Sequence, residues 1–277
     1  MIRRRAPVTV LPFLLTPLAA GAPVAAQGGA PDPTLRGDVD AYWRDLVHVW
    51  MAPLHADPDD LGTAVLFVTG VGAISGFDEP VRDWVAQHEH APVLRALSVL
   101  GEDSPVNMLG RTQLLLPVSL GSWLIGAALH EPALRDGGLG CATANVANTL
   151  ARWSIAQLVG RPRPLTGRPA SEFHTFHFGP WEERSFPGGH ASNVMACASF
   201  LHHRFDLGWA DPLVLGLASL IGVTRTVDGA HWLSDTAFGI GFGYAVGKEV
   251  ARRQVERSSS PTEVKTPVVT LYWQHAF

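Results

Sequence analysis

From Leu61 to Phe77 the chain reads LGTAVLFVTGVGAISGF, seventeen residues without a charge. A second apolar run, MLGRTQLLLPVSLGSWLIGAALH, extends from Met108 to His130 with Arg111 near its start. Neither run has a polar stripe, so a helix made from either must be buried around most of its circumference, in a large bundle or in lipid. Only 61–77 and 112–130 approach the roughly 20 residues that a bilayer demands. Helical patterning continues in AYWRDLVHVWMAPL (41–54), EPVRDWVAQHEHAPVLRALSVLGE (79–102) and LGCATANVANTLARWSIAQLVG (139–160). It resumes in HASNVMACASFLHHRF (190–205), PLVLGLASLIGVTRTV (212–227) and HWLSDTAFGIGFGYAVGKEV (231–250). The predicted class is all-α: one bundle of about six or more helices. The last stretch, TPVVTLYWQHAF, alternates apolar residues and is expected to form a short strand-like strap.

The N-terminus sets the compartment. MIRRR is a basic lead, VTVLPFLLTPLAAG is apolar but short and interrupted by proline, and VAAQGG places small residues where a signal peptidase cuts. Residues 1–26 are therefore expected to be a signal peptide. Their removal takes Arg3, Arg4 and Arg5 and no acid, which makes the remaining chain more acidic than the full-length net charge of −4. That balance gives no footing for nucleic acid. The expected organisation continues with a linker and helix over 27–60, a helical domain over 61–250 and a tail over 251–277. The two cysteines, Cys141 and Cys197, lie in apolar helical contexts and read as core thiols rather than a disulfide framework.

Three short segments carry chemistry. GRPRP (160–164) places two arginines directly after a helix, and the planar guanidinium fork suits phosphate oxygens. FPGGH (186–190) leads into a helix whose first N–H groups offer an anion site, with His190 at the mouth and glycines at 188 and 189 for close backbone approach. TRTVDGAHWLSD (224–235) spaces Arg225, His231 and Asp235 as R-x5-H-x3-D. A carboxylate four residues after a histidine can hold its Nδ1–H and leave Nε2 as nucleophile or base. HEH (88–90) and HHR (202–204) sit on a charged face and near a helix C-terminus and carry no metal prediction.

Together, these segments resemble the type 2 phosphatidic acid phosphatase and vanadium-dependent haloperoxidase superfamily, whose pattern is K-x6-R-P, then P-S-G-H, then S-R-x5-H-x3-D. The resemblance covers roughly residues 61–250. It implies phosphate-binding roles for Arg163, Arg225 and the N–H of Gly189. It further implies His190 as general acid, His231 as nucleophile and Asp235 as the group that orients it. The motif lysine falls on Ala156, the serine of the second motif on Gly188 and that of the third on Thr224. Arg152, one helical turn before Ala156, is a candidate to reach the lysine's place, and Gly188 to offer a backbone N–H instead of the hydroxyl. Arg161, His174, His177 and Arg184 flank the site, each read as a surface residue.

The resemblance implies a metal-independent phosphatase that passes through a phosphohistidine, acting on a phosphate monoester or a lipid phosphate or pyrophosphate. It implies no cofactor, vanadate as a phosphate-mimicking inhibitor, and plausible membrane association; no protein partner is indicated. The substitutions at 156 and 188 also permit a catalytically silent phosphate- or phospholipid-binding protein. A vanadate-dependent haloperoxidase would want the same missing lysine and serine.

Overall fold

The structure is a computed structural model that describes residues 34–101, 104–176 and 178–258. Across them the chain is all-α. The helices are α1 (Leu35–Met51), α2 (Pro58–Ser75), α3 (Asp78–Gln87), α4 (Pro92–Val99), α5 (Pro105–Met108), α6 (Thr112–Leu129), α7 (Pro132–Val159), α8 (Gly189–Arg204), α9 (Asp211–Val227) and α10 (Leu233–Ser258). The proposed signal peptide and the strand-like strap lie outside the described residues.

Several boundaries differ from expectation. Helix α1 begins at Leu35, inside the segment read as linker, and α10 runs on to Ser258, through the start of the supposed tail. The single helix expected over 79–102 is two, because the chain turns at His88–Ala91 and Pro92 restarts it at the first helical position. Helix α2 starts on a capping box in which Asp57 and Asp60 each accept the other's backbone N–H.

Helices α8 and α10 form the centre of the bundle. Gly239, Gly243 and Gly247, four apart on α10, face the carbonyls of Gly188, Ser192 and Ala196, also four apart. A Cβ at any of the three glycines would overlap a carbonyl oxygen. The two helices therefore run parallel with backbones in direct contact, and the loop that opens α8 is pressed onto the first turns of α10. Phe200, Val246, Val250 and Ala251 fill the core beneath, with Leu46 of α1.

The cysteines are not free thiols: Cys141 of α7 is disulfide-bonded to Cys197 of α8, across 56 residues of sequence. Helical context alone concealed the pairing, because the two positions meet only when α7 and α8 pack side by side. In chain-entropy terms a loop of that length is worth about 4 kcal/mol.

Apolar side chains also cover much of the outside. Val65, Leu66 and Val68 of α2, Val118, Leu124 and Ile125 of α6, and Leu213 and Leu217 of α9 are all exposed. Among the described residues two helices, Thr112–Leu129 and Gly208–Val227, are long and apolar enough to cross a membrane, and the pair Pro58–Ser75 and Asp78–Gln87, bent by 43°, passes the same test together. The second of these spans was not among the two segments expected, and the first of those expected reaches the length only as a bent pair.

Candidate active site

Helix α7 ends where Gly160 adopts φ +58°, a left-handed cap that glycine accepts without strain. The site also leaves no room for a Cβ, which would strike the backbone of His174. The reversal delivers Arg161 and Arg163 to two different places.

Arg163 enters a cavity of about 520 Å³ whose wall also holds Arg111, Gln113, Trp181, His190, Arg225 and His231. No carboxylate is among those residues. Three backbone carbonyls fix the Arg163 guanidinium: those of Trp181 at 3.0 Å, Ala230 at 2.5 Å and Arg184 at 3.1 Å. The indole of Trp181 lies 3.8 Å from its carbon and adds a cation–π contact. Arg225 is 2% exposed and is paired with Asp228 at 3.2 Å. Its carbonyl accepts from the N–H groups of Ala230 and His231, which closes the turn that carries His231. Gly229, with φ +68°, makes that turn possible.

His231 is buried, and its Nδ1 lies 2.6 Å from the carbonyl of Ser185. A carbonyl only accepts, so Nδ1 carries the proton and Nε2 keeps its lone pair. The expected contact with Asp235 is not made. The Asp235 carboxylate instead accepts from Arg161 Nη1 at 2.5 Å, from the Trp232 N–H at 3.0 Å and from the Ser185 hydroxyl. It therefore acts on His231 at one remove, through Ser185 and the backbone of the neighbouring residue. Ser185 lies within the stretch SFPGGHAS, but a serine five residues before a motif histidine gives no sign of this role.

Arg161, read as a surface residue, is 4% exposed. Its guanidinium bridges Asp235 and Asp78 and also donates to the Ala170 carbonyl and the Ser234 hydroxyl. Asp78, at the start of α3, accepts in turn from the N–H and hydroxyl of Ser234. Of the other flanking residues, His174 joins Arg168, Glu172 and Glu183 in a half-buried charge cluster away from the cavity wall. Arg184 turns to the Gly179 carbonyl, and His177 lies outside the described residues.

The two glycines of FPGGH serve space rather than dihedral freedom, since neither takes a positive φ. Gly188 does not offer its N–H to a ligand: that group donates to the Asp235 carbonyl at 2.9 Å. A Cβ at 188 would sit 2.8 Å from that same carbonyl oxygen, so the family's serine does not fit this loop as it lies. A Gly188→Ser chain is expected to lose about 1–3 kcal/mol to overpacking and to gain no activity. A variant as stable as the parent with faster turnover would contradict this. Gly189 opens α8, where first-turn N–H groups have no acceptor within the helix. A Cβ there would meet the Arg152 guanidinium at 3.0 Å, so Arg152 lies directly on Gly189. Its Nε is buried without a hydrogen-bond partner. Ala156, the lysine position, is buried, and the Thr224 hydroxyl is spent on the Ile221 carbonyl of its own helix.

Electrostatics follow from this crowd of cations. Burial, reinforced by Arg225, Arg111, Arg152 and Arg163, pushes His190 down to about 3, and its Nε2 is buried without a partner. Burial lowers His231 as well, with Arg163, His190 and Arg225 adding to the shift and the Ser185 carbonyl opposing it. Both imidazoles are thus held in the neutral form by burial and by a positive field that an anion would offset.

The family model described as the PAP2 superfamily matches residues 137–259. That segment holds Arg152, Arg163, His190, Arg225, His231 and Asp235, so the match covers the candidate site and supports assignment to the PAP2 superfamily. The lipid A 1-phosphatase of Porphyromonas gingivalis is 33% identical over 66 residues, a match to 23% of this chain and 15% of that protein's length. A solved structure described as the first transmembrane PAP2 type phosphatidylglycerolphosphate phosphatase from Bacillus subtilis aligns with 81% of this chain and 98% of that chain, at 18% identity and a TM-score of 0.48. Arg111, Gln113, Trp181 and Asp78 lie outside the motif positions, and all but Trp181 lie outside the matched segment. Nothing in their local sequence marks them.

Proposed function

We propose that this chain is a membrane-associated phosphatase that hydrolyses a phosphate monoester or a lipid phosphate or pyrophosphate outside the cytoplasm, by way of a phosphohistidine. The observation that carries this reading is the convergence of Arg163, His190, Arg225 and His231, from three separate segments, on one cavity with no carboxylate among its described lining residues. His231 Nε2 attacks phosphorus, forming the N–P bond as the bond to the leaving oxygen breaks. His190 gives the leaving oxygen its proton, then takes one from the water that cleaves the phosphohistidine. His190 must hold a proton for the first step, and the anion's charge, set against the arginines, supplies that affinity. Arg163, Arg225 and the Gly189 N–H face the oxygens where transition-state charge collects. Arg152, lying on Gly189, brings a cation to the region that the absent lysine would serve. The arginines supply the positive charge, so no metal or cofactor is invoked, and vanadate should inhibit as a phosphate mimic.

The exposed apolar belt of α2, α6 and α9 supports residence in a bilayer and, with it, a lipid-like substrate. The Cys141–Cys197 disulfide and the basic, apolar N-terminus together support a compartment outside the cytoplasm. The second reading, a silent phosphate or phospholipid binder, draws on Ala156 and on the occupied N–H of Gly188. Release of phosphate from p-nitrophenyl phosphate and from a long-chain lipid phosphate monoester, by purified full-length protein in detergent, separates the two. Vanadate-sensitive turnover of either is the expected result. Phosphate binding without turnover of either would replace the enzyme by the binder.

A further inference from the structure

We infer that Arg111, from outside the three family motifs, is a phosphate-binding residue of this cavity, held there by a buried network centred on Asn193. The inference rests on the anion-site reading above. Arg111 occupies the turn between α5 and α6 and lines the cavity beside Arg163, Arg225 and both histidines. It is far from them in sequence, so its arrival needs a structural cause.

That cause is visible on either side of it. Gly110 packs its backbone against His190: a Cβ at 110 would lie 2.8 Å from the His190 Cβ. Asn193, one turn into α8 from His190, donates to the Gly110 carbonyl at 3.3 Å and to the Thr112 hydroxyl at 2.9 Å, and so grips the residues before and after Arg111. The Asn193 carbonyl oxygen accepts from Asn148 Nδ2 at 2.6 Å, and Thr112 meets the Thr149 hydroxyl of α7 at 3.0 Å. Asn193 is 3% exposed and Asn148 0%. A buried, hydrogen-bonded network of this kind fixes one geometry, since any displaced member leaves a polar group unsatisfied. Helix α8 thus carries His190 at its start and, one turn later, the side chain that places Arg111 beside it.

The chemistry of the wall agrees. Two of the family's usual contacts are missing at Ala156 and Gly188, and the wall holds a guanidinium at Arg111 and an amide at Gln113 from outside the motifs. Arg111 also stands near enough to lower the proton affinity of His190, which places its charge in the field that an entering anion meets.

The test is the affinity of full-length protein in detergent for inorganic phosphate, measured by calorimetry. Arg111→Gln should weaken binding about 10- to 100-fold, the loss expected of one charge-assisted contact. Thr112→Val, which cuts one of the Asn193 grips, should weaken it less, and Thr112→Ser, which keeps the hydroxyl, should restore it. A merely structural threonine would lower the melting temperature without that pattern in phosphate affinity. Arg225→Gln serves as the comparison. If Arg225→Gln weakens binding while Arg111→Gln leaves it within twofold, the inference fails and the anion-site reading stands. If the parent protein binds no phosphate, both fail.

Discussion

Replacing His231 with alanine is expected to lower turnover by roughly four orders of magnitude or more, the scale seen when a covalent nucleophile is removed. Phosphate affinity should stay within a few-fold of the parent. The two outcomes separate because the groups proposed to hold the anion are not positioned by His231. Arg163 is fixed by three carbonyls, Arg225 by Asp228, and Arg152 lies on Gly189. Alanine removes the Nε2 lone pair and one hydrogen bond to the Ser185 carbonyl. The lost bond costs only about 1 kcal/mol of stability, since the carbonyl left behind has a second chance to pair with water entering the vacated space. Turnover within tenfold of the parent would remove His231 from the nucleophile's role. Loss of phosphate affinity in parallel with turnover would show a collapsed site rather than a missing nucleophile, and the folded fraction would report it.

How much of this was legible in sequence depended on how far apart the interacting groups lie. The helices were readable because apolar periodicity is local: α8 and α9 fall close to their expected positions, while α7 ends where expected but begins at Pro132, seven residues before the expected 139. The three motifs were readable because their spacing is fixed within single loops, and His190, Arg163, Arg225 and His231 do meet. What failed was pairing between segments. Asp235 stands four residues from His231, a spacing that invites a direct contact, yet Ser185 intervenes from another loop and takes the imidazole. Arg161 and Arg163 are each followed by a proline, and the partners that turn Arg161 inward, Asp78 83 residues earlier and Asp235 of α10, are distant in sequence. The glycines of α10 show the same limit: FGIGFGYAVG reads as a weak helix until α8 is laid against it. The disulfide was missed for this reason too.

Arg161→Met is expected to destabilise the fold by about 3–5 kcal/mol, more than any single contact in the cavity wall would. The pairs themselves are not worth that much; charges taken out of water recover little more than they lose. The cost comes from what methionine leaves behind. The side chains of Asp78 and Asp235 are 0% exposed, and Arg161 is the cation between them, at 2.7 and 2.5 Å. Without it, two carboxylates share a buried site with only neutral donors, Ser185, Ser234 and backbone N–H groups, to hold them. Adding Asp78→Asn should recover part of the loss, because one uncompensated charge is gone, and the double variant should be more stable than the sum of the two single effects implies. The damage should also reach catalysis. Asp235 holds the Ser185 hydroxyl, and the Ser185 carbonyl holds His231, so a disturbed Asp235 loosens the imidazole proposed to attack phosphorus. Thermal unfolding in detergent reads the first effect, and turnover of the surviving folded protein reads the second. A melting temperature unchanged by Arg161→Met would mean that water or backbone already satisfies the two carboxylates, and the clasp between α3, the GRPRP turn and α10 would be incidental to the site.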